Sequence, residues 1–209
     1  MVSARSLLIV LCALACLMIP AGAFASSSID FSNSGGTLTG TTTGLSLSGS
    51  TLIAISGFGG GGGGLVTGDL GSVSFSTGAL SSGSLQMGAT LAGGGSFTIT
   101  GNGSDGVPNG TLFAGSFSGP VTWSLLTLSN GTHSYTLTGT LTGNLEGLSV
   151  DGITVQLTIN TGVGFFDGST SIAGGDTTIV GSVPEPSTVT MLGTGLMGVL
   201  GLVRRKLQR

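Results

Sequence analysis

No lysine or arginine occurs between Ser26 and Val183; the five basic residues, Arg5, Arg204, Arg205, Lys206 and Arg209, all sit close to a terminus. The same stretch holds seven carboxylates, Asp30, Asp69, Asp105, Glu146, Asp151, Asp167 and Asp176, and so a formal charge of −7. A nucleic-acid partner needs Lys or Arg to displace condensed counterions, and the middle of the chain offers none. Charged residues are 6% of the whole, against about 25% in ordinary globular proteins. That argues against a large cytosolic enzyme and against a phosphate-binding protein.

Cysteine is equally scarce. Cys12 and Cys16 both lie in the apolar N-terminal run. With that run removed, the chain has no thiol for a disulfide, a metal site or a nucleophile. The single histidine, His133, argues against a zinc site, which needs several N or S ligands. A Ser-His-Asp triad can be imagined in any chain this rich in serine, so residue types alone do not argue for one. His133 is expected as a surface residue at the end of a hairpin. No catalytic residue, cofactor or metal ligand is assigned, and the chain is not expected to be an enzyme.

What is abundant is glycine and small hydroxyl residues: 42 Gly, 29 Ser and 28 Thr in 209 residues. The two ends stand apart from that composition. Residues 1–25 have the form of a secretory signal peptide, with Arg5 as the positive region and Ser6–Ile19 as the apolar core. Ala23-Phe24-Ala25 is a small-x-small cleavage site, so cutting after Ala25 leaves Ser26 as the new N-terminus. Lipoprotein processing at Cys16 is the competing reading. It is disfavoured because Ala13-Leu14-Ala15 lacks the large aliphatic residue that a lipidation motif wants at its first position.

The C-terminal segment, residues 183–209, has three parts in order. Val183-Pro184-Glu185-Pro186-Ser187-Thr188 is held extended by its prolines. Residues 189–203 carry no charge, and Arg204, Arg205, Lys206 and Arg209 close the chain. A helix from Ser187 through Val203 spans roughly 26 Å, a little short of a ~30 Å hydrocarbon core. Snorkelling and local thinning make up the difference. The basic end is expected on the cytoplasmic side, which puts everything before the helix outside. A permanent tail anchor would use the same parts.

These residues resemble the PEP-CTERM sorting signal of bacteria, with the Pro184-Glu185-Pro186 triplet as its hallmark. The resemblance implies export by the general secretory route and recognition by a membrane protease-transpeptidase of the exosortase type. It implies an inner-membrane-anchored precursor, then a place at the cell surface or in an extracellular matrix. Proteins bearing this signal accompany exopolysaccharide production and biofilm. Signal peptidase, the processing enzyme, the membrane and extracellular polysaccharide are the partners so implied. The resemblance is silent on the fold of residues 26–182.

That middle region reads as all-β. Apolar residues recur with period two, as Val73 and Phe75, Phe97 and Ile99, and Ile153, Val155, Leu157 and Ile159, with Ser and Thr between them. Leu45, Leu47, Leu52, Ile53 and Ile55 form another such set. No stretch repeats at helical spacing. Turn signals at intervals of about ten residues predict one antiparallel β-sandwich or barrel-like domain. A β-solenoid is the alternative, because Thr-Leu-Thr-Gly-Thr occurs twice, at Thr37–Thr41 and Thr136–Thr140. Gly57 through Gly64, broken only by Phe58, is expected to be a flexible loop.

One hairpin can be read in detail. A two-residue Asn130-Gly131 loop would set Trp123 opposite Thr138 and split the apolar face. A three-residue loop, Ser129-Asn130-Gly131, sets Leu125 opposite Tyr135 and Trp123 opposite Leu137. A slip of one residue would turn every side chain over, so the three-residue loop is preferred, with Gly131 left-handed. Thr136, Thr138, Thr140 and Thr142 then form an outward hydroxyl row.

Two fragments, Gly101–Gly106 and Gly174-Gly175-Asp176, resemble pieces of Gly-rich calcium-binding repeats. They stand about seventy residues apart rather than in tandem, so they are read as Gly/Asp turns. Three glycosylation sequons, at Asn102, Asn109 and Asn130, are read as Asn-Gly turns, because such matches arise by chance in a chain this rich in Gly, Ser and Thr. The functional expectation is a non-catalytic structural or interaction protein of the surface or matrix. The alternatives are a carbohydrate-binding module, which needs exposed aromatics, and a secreted hydrolase, which needs paired carboxylates.

Overall fold

A computed structural model describes residues 28–58 and 64–180 of the chain. The predicted signal peptide, the C-terminal segment and the centre of the polyglycine loop lie outside these residues. Thirteen strands and no helix occur among the described residues. They are β1 (Ser28–Ser34), β2 (Thr37–Thr41), β3 (Gly44–Ser56), β4 (Val66–Ser76), β5 (Leu80–Ser84) and β6 (Gly88–Leu91). The second half gives β7 (Gly94–Asn102), β8 (Asn109–Phe117), β9 (Val121–Thr127), β10 (His133–Leu145), β11 (Leu148–Gly162), β12 (Ser169–Ser171) and β13 (Gly174–Val180).

Eight of them close into an antiparallel barrel in the order β1-β3-β4-β7-β8-β10-β11-β13 and back to β1. Closure falls between the first strand and the last, from Ser28↔Val180 to Asn33↔Gly175. Of the sequence expectations, the barrel is the one realised. The solenoid is not: all the pairings described are antiparallel, whereas stacked solenoid coils pair in parallel. The two Thr-Leu-Thr-Gly-Thr copies are instead one local solution used twice. Leu38 and Leu137 are both fully buried, and the glycine two residues on faces the same way. A Cβ at Gly40 would meet Phe166 at 2.8 Å, and one at Gly139 would meet Phe117 at 2.8 Å. In each copy, the missing side chain makes room for a phenylalanine ring.

The barrel forks on opposite sides. The first half of β3 pairs with β2 and the second half with β1. The first half of β10 pairs with β9 and the second half with β8. From these forks, β12 extends beyond β2, and β6 and β5 extend beyond β9, to form a lobe at one end.

An eight-stranded barrel is narrow enough for side chains to fill. Phe75, Phe97, Phe113 and Phe117 do so, with ring centroids 5.7–6.1 Å apart. The lobe has its own centre, in which Trp123 stacks on Tyr135 at 5.0 Å and meets Phe166 edge-on at 5.6 Å. Here the buried polar atoms act as ties. Trp123 Nε1 donates to Leu85 O, Tyr135 OH donates to Gln86 O, and Phe166 N donates to Tyr135 OH. These bonds fasten the β5–β6 turn and the β11–β12 connection onto the β9–β10 hairpin.

That hairpin has the three-residue loop. Leu125 lies opposite Tyr135 and Trp123 opposite Leu137. Leu128 N bonds to Thr132 O, Gly131 N to Leu128 O, and Gly131 has φ +81°. Elsewhere, strict alternation is interrupted by register shifts, and one of them re-aims a large apolar side chain. Ser32 pairs with Ala54 and Asn33 with Leu52, so Ile53 is a bulge residue and points to solvent instead of into the core.

Candidate functional site

The two ends of the domain fix how it is presented. Ser28 and Val180 are directly opposite one another, so the chain enters and leaves at one pole. The turns β3–β4, β7–β8 and β10–β11 lie at this entry pole; the lobe forms the far pole. Ala25 and Ser26, the motif from Val183 to Thr188, and Arg204, Arg205, Lys206 and Arg209 all lie outside the described residues. Their points of attachment, however, are side by side.

The outer face of the barrel is polar, and its side chains are in register. One row runs Thr122, Thr138, Gln156, Asp176, Ser32 and Ala54 across six adjacent strands. A second runs Thr140, Thr154, Thr178, Asp30 and Ser56. None of these residues is buried. Adjacent strands are about 4.8 Å apart, so the rows form a close array of hydroxyl, amide and carboxylate groups. The outward positions of β10, from Thr136 to Thr142, fall in this array as the hairpin parity requires.

Where β11, β13, β1 and β3 adjoin, the face sinks into a shallow open depression of about 340 Å³. Ser32, Ser34, Gln156, Thr158 and Asp176 line it, and the bulged Ile53 gives it one apolar wall. Gly174 and Gly175 also line it, so the strand there carries no side chain between Ala173 and Asp176. Asp176 is the one carboxylate in the lining and already accepts a 2.7 Å hydrogen bond from Ser32 Oγ. Asp30 likewise accepts from Thr178 Oγ1, and Asp151 from Thr142 Oγ1. Cross-strand hydroxyls thus take up part of the hydrogen-bonding capacity of each carboxylate.

The calcium-like fragments are not brought together. Gly101–Gly106 includes the β7–β8 turn, with Asp105 at φ +52°. Asn102 there donates to Asp69 O and accepts from Ser104 N. Gly174-Gly175-Asp176 is not the turn expected from sequence: all three residues lie in β13, paired to β1 and β11. No group of three or more His, Cys, Asp or Glu suited to a metal occurs among the described residues.

His133 also departs from expectation. It is buried, not on the surface, and its ring lies against Phe165 at 4.2 Å, nearly parallel. Nδ1 is 3.1 Å from Thr127 Oγ1. Its place at the strand end was legible, but the Val163–Phe165 stretch that covers it arrives from the far end of β11. Of the described aromatics, Phe165 alone is exposed.

No curated protein and no solved structure matched the chain. Residues 182–206 match the family model of the PEP-CTERM protein-sorting motif. That match takes in the Pro-Glu-Pro triplet, the uncharged run and the first three of the terminal basic residues, two residues beyond the last strand of the barrel. The chain carries a PEP-CTERM protein-sorting motif and is an exported, membrane-anchored precursor sorted to the cell surface by an exosortase-type enzyme.

Proposed function

We propose that the barrel is a non-catalytic interaction module of the cell surface or extracellular matrix, and that its outer face contacts hydrated exopolysaccharide in a biofilm. The observation that carries this reading is the in-register array of hydroxyl and amide groups, from Thr122 to Ser32. Many adjacent weak donors and acceptors suit a hydrated polymer that presents hydroxyls of its own. The absence of Lys and Arg from residues 26–182 removes strong electrostatic selection. An aromatic binding platform has less support, since Phe165 is the lone exposed ring among the described residues. A hydrolase has less still, since the depression offers Asp176 without a second carboxylate.

Co-sedimentation of the full chain with the exopolysaccharide of the cells that make it tests the reading. Retention through the barrel should survive added sodium chloride, because residues 26–182 supply no cation. Replacing Gln156 and Thr138 by Ala and Val should lower retention without changing the unfolding midpoint. No retention of the parent chain would refute the polysaccharide role, and release of new reducing ends would replace it with hydrolysis.

A further inference from the structure

The depression on the outer face owes its depth to one residue of β13. Gly175 faces the core: a Cβ there would meet Leu157 Cδ1 and Asn33 Oδ1, both at 2.8 Å, so packing calls for glycine. Gly174, the next residue back, faces outward, opposite Thr158 and on the same side as Asp176. Neither packing nor backbone calls for glycine here. A Cβ would meet nothing closer than Asn33 O at 3.6 Å, an ordinary contact, and φ lies outside the left-handed region. What the missing side chain does is open the hollow between Thr158, Asp176 and Ile53.

We propose that this hollow is a subsite for a single uncharged sugar unit of the polymer; the proposal deepens the outer-face reading above and rests on it. The groups around Gly174 match the two kinds of surface that a sugar ring has. Ile53, turned out by its bulge and 39% exposed, offers an aliphatic wall to the C–H face of a ring. Asp176 offers acceptors to the hydroxyls. An ionised carboxylate has about four lone-pair sites, and Ser32 Oγ occupies one of them. Two adjacent hydroxyls can therefore donate to the same carboxylate, through bonds roughly twice as strong as those to a neutral acceptor. Gln156 is paired directly with Asp176 and adds a donor and an acceptor beside it. A volume of about 340 Å³ is at the small end of ligand sites, which suits one ring of a polymer that continues over the barrel surface.

Charge sets the class of unit. Residues 26–182 have no Lys or Arg to receive a carboxylate, sulfate or phosphate substituent, and Asp176 repels each of them at close range. A neutral unit with adjacent hydroxyls meets no such penalty. The hollow therefore discriminates where the rest of the array, made mainly of uncharged side chains, does not.

The test uses the full chain in mild detergent, co-sedimented with the exopolysaccharide of the cells that make it. A second portion of that polymer is oxidised at its primary hydroxyls to carboxylates. Gly174→Ile fills the hollow in a strand that favours β-branched residues. It should raise the polymer concentration for half retention about tenfold, the loss of one well-made contact. Gly164→Ile is the matched control in the β11–β12 connection, where a Cβ meets nothing closer than 3.8 Å; it should be retained as the parent is. The oxidised polymer should be held less well than the native one in salt that screens charges beyond about 8 Å. Asp176→Asn keeps an acceptor for Ser32 Oγ but removes the charge. It should weaken retention of the native polymer and narrow the gap between the two polymers. Unfolding followed by Trp123 emission reports whether each variant is folded, and Asp176→Asn carries the test if Gly174→Ile is not. Parent-like retention of folded Gly174→Ile overturns the subsite and leaves the outer-face reading standing. A gap that Asp176→Asn does not narrow overturns the selection by charge. No retention of the parent chain on either polymer overturns the outer-face reading and the subsite together.

Discussion

Replacing Tyr135 by Phe isolates one hydroxyl at the centre of the lobe. The ring stays, and with it the 5.0 Å stack on Trp123 and the 6.2 Å edge contact with Phe166. What disappears is an oxygen that accepts from Phe166 N at 3.1 Å and donates to Gln86 O at 2.7 Å. The two orphaned groups are not equivalent. Gln86 is exposed, so water can reach its carbonyl. Phe166 is 1% exposed, so its N–H has no substitute. A buried donor left unpaired costs about 1–3 kcal/mol, and we assign the whole effect to this group. In a domain of this size, that lowers the melting temperature by roughly 2–4 °C per kcal/mol. The chain has a single Trp, and it lies against the altered ring, so urea unfolding followed by Trp123 emission is the direct assay. The midpoint should fall with the slope unchanged. The amide of Phe166 should also lose protection from hydrogen exchange. An unchanged midpoint with Phe166 still protected would refute the argument, because it would mean the tyrosine hydroxyl does not fasten the β11–β12 connection.

Other expected outcomes follow from single positions. Gly131→Val should cost more than about 1 kcal/mol, because a β-branched residue is strained at the φ of +81° found there; an equal denaturation midpoint would speak against a left-handed turn. Gly139→Ala places a Cβ 2.8 Å from Phe117 and should cost roughly 1–3 kcal/mol by overpacking, read as a lower thermal midpoint. Sodium chloride should raise the midpoint modestly, since the screening length falls to about 10 Å at 0.1 M. Calcium at matched ionic strength should add nothing, because Asp105 and Asp176 sit on separate elements; a calcium shift abolished by Asp105→Ala would refute this. Mass spectrometry of native protein should find no residue after about Thr188, and an intact Arg209 terminus would show that the tail is kept as an anchor.

The sequence alone determined the features that depend on neighbours along the chain. Two prolines around Glu185, an uncharged run and a basic end make a sorting segment whatever precedes them. The period-two pattern told inside from outside for Phe97, Ile99, Val155 and Leu157, because successive side chains of a strand must alternate. The hairpin register at Trp123 and Leu137 was legible for the same reason, since only one loop length keeps both apolar faces together.

Only the tertiary structure decided which strand lies beside which. Ser28 pairs with Val180 across almost the whole domain, and nothing local distinguishes that closure from an open sandwich. The bulge that turns Ile53 outward exists because β3 must satisfy β1 and β4 at once, so parity counted along β3 alone misplaces it. The burial of His133 depends on Phe165, 32 positions away, arriving by way of β11. The rows of the outer face have the same origin. Each is a relation between strands, set by long-range hydrogen-bonded pairing, to which the composition of any one strand is blind.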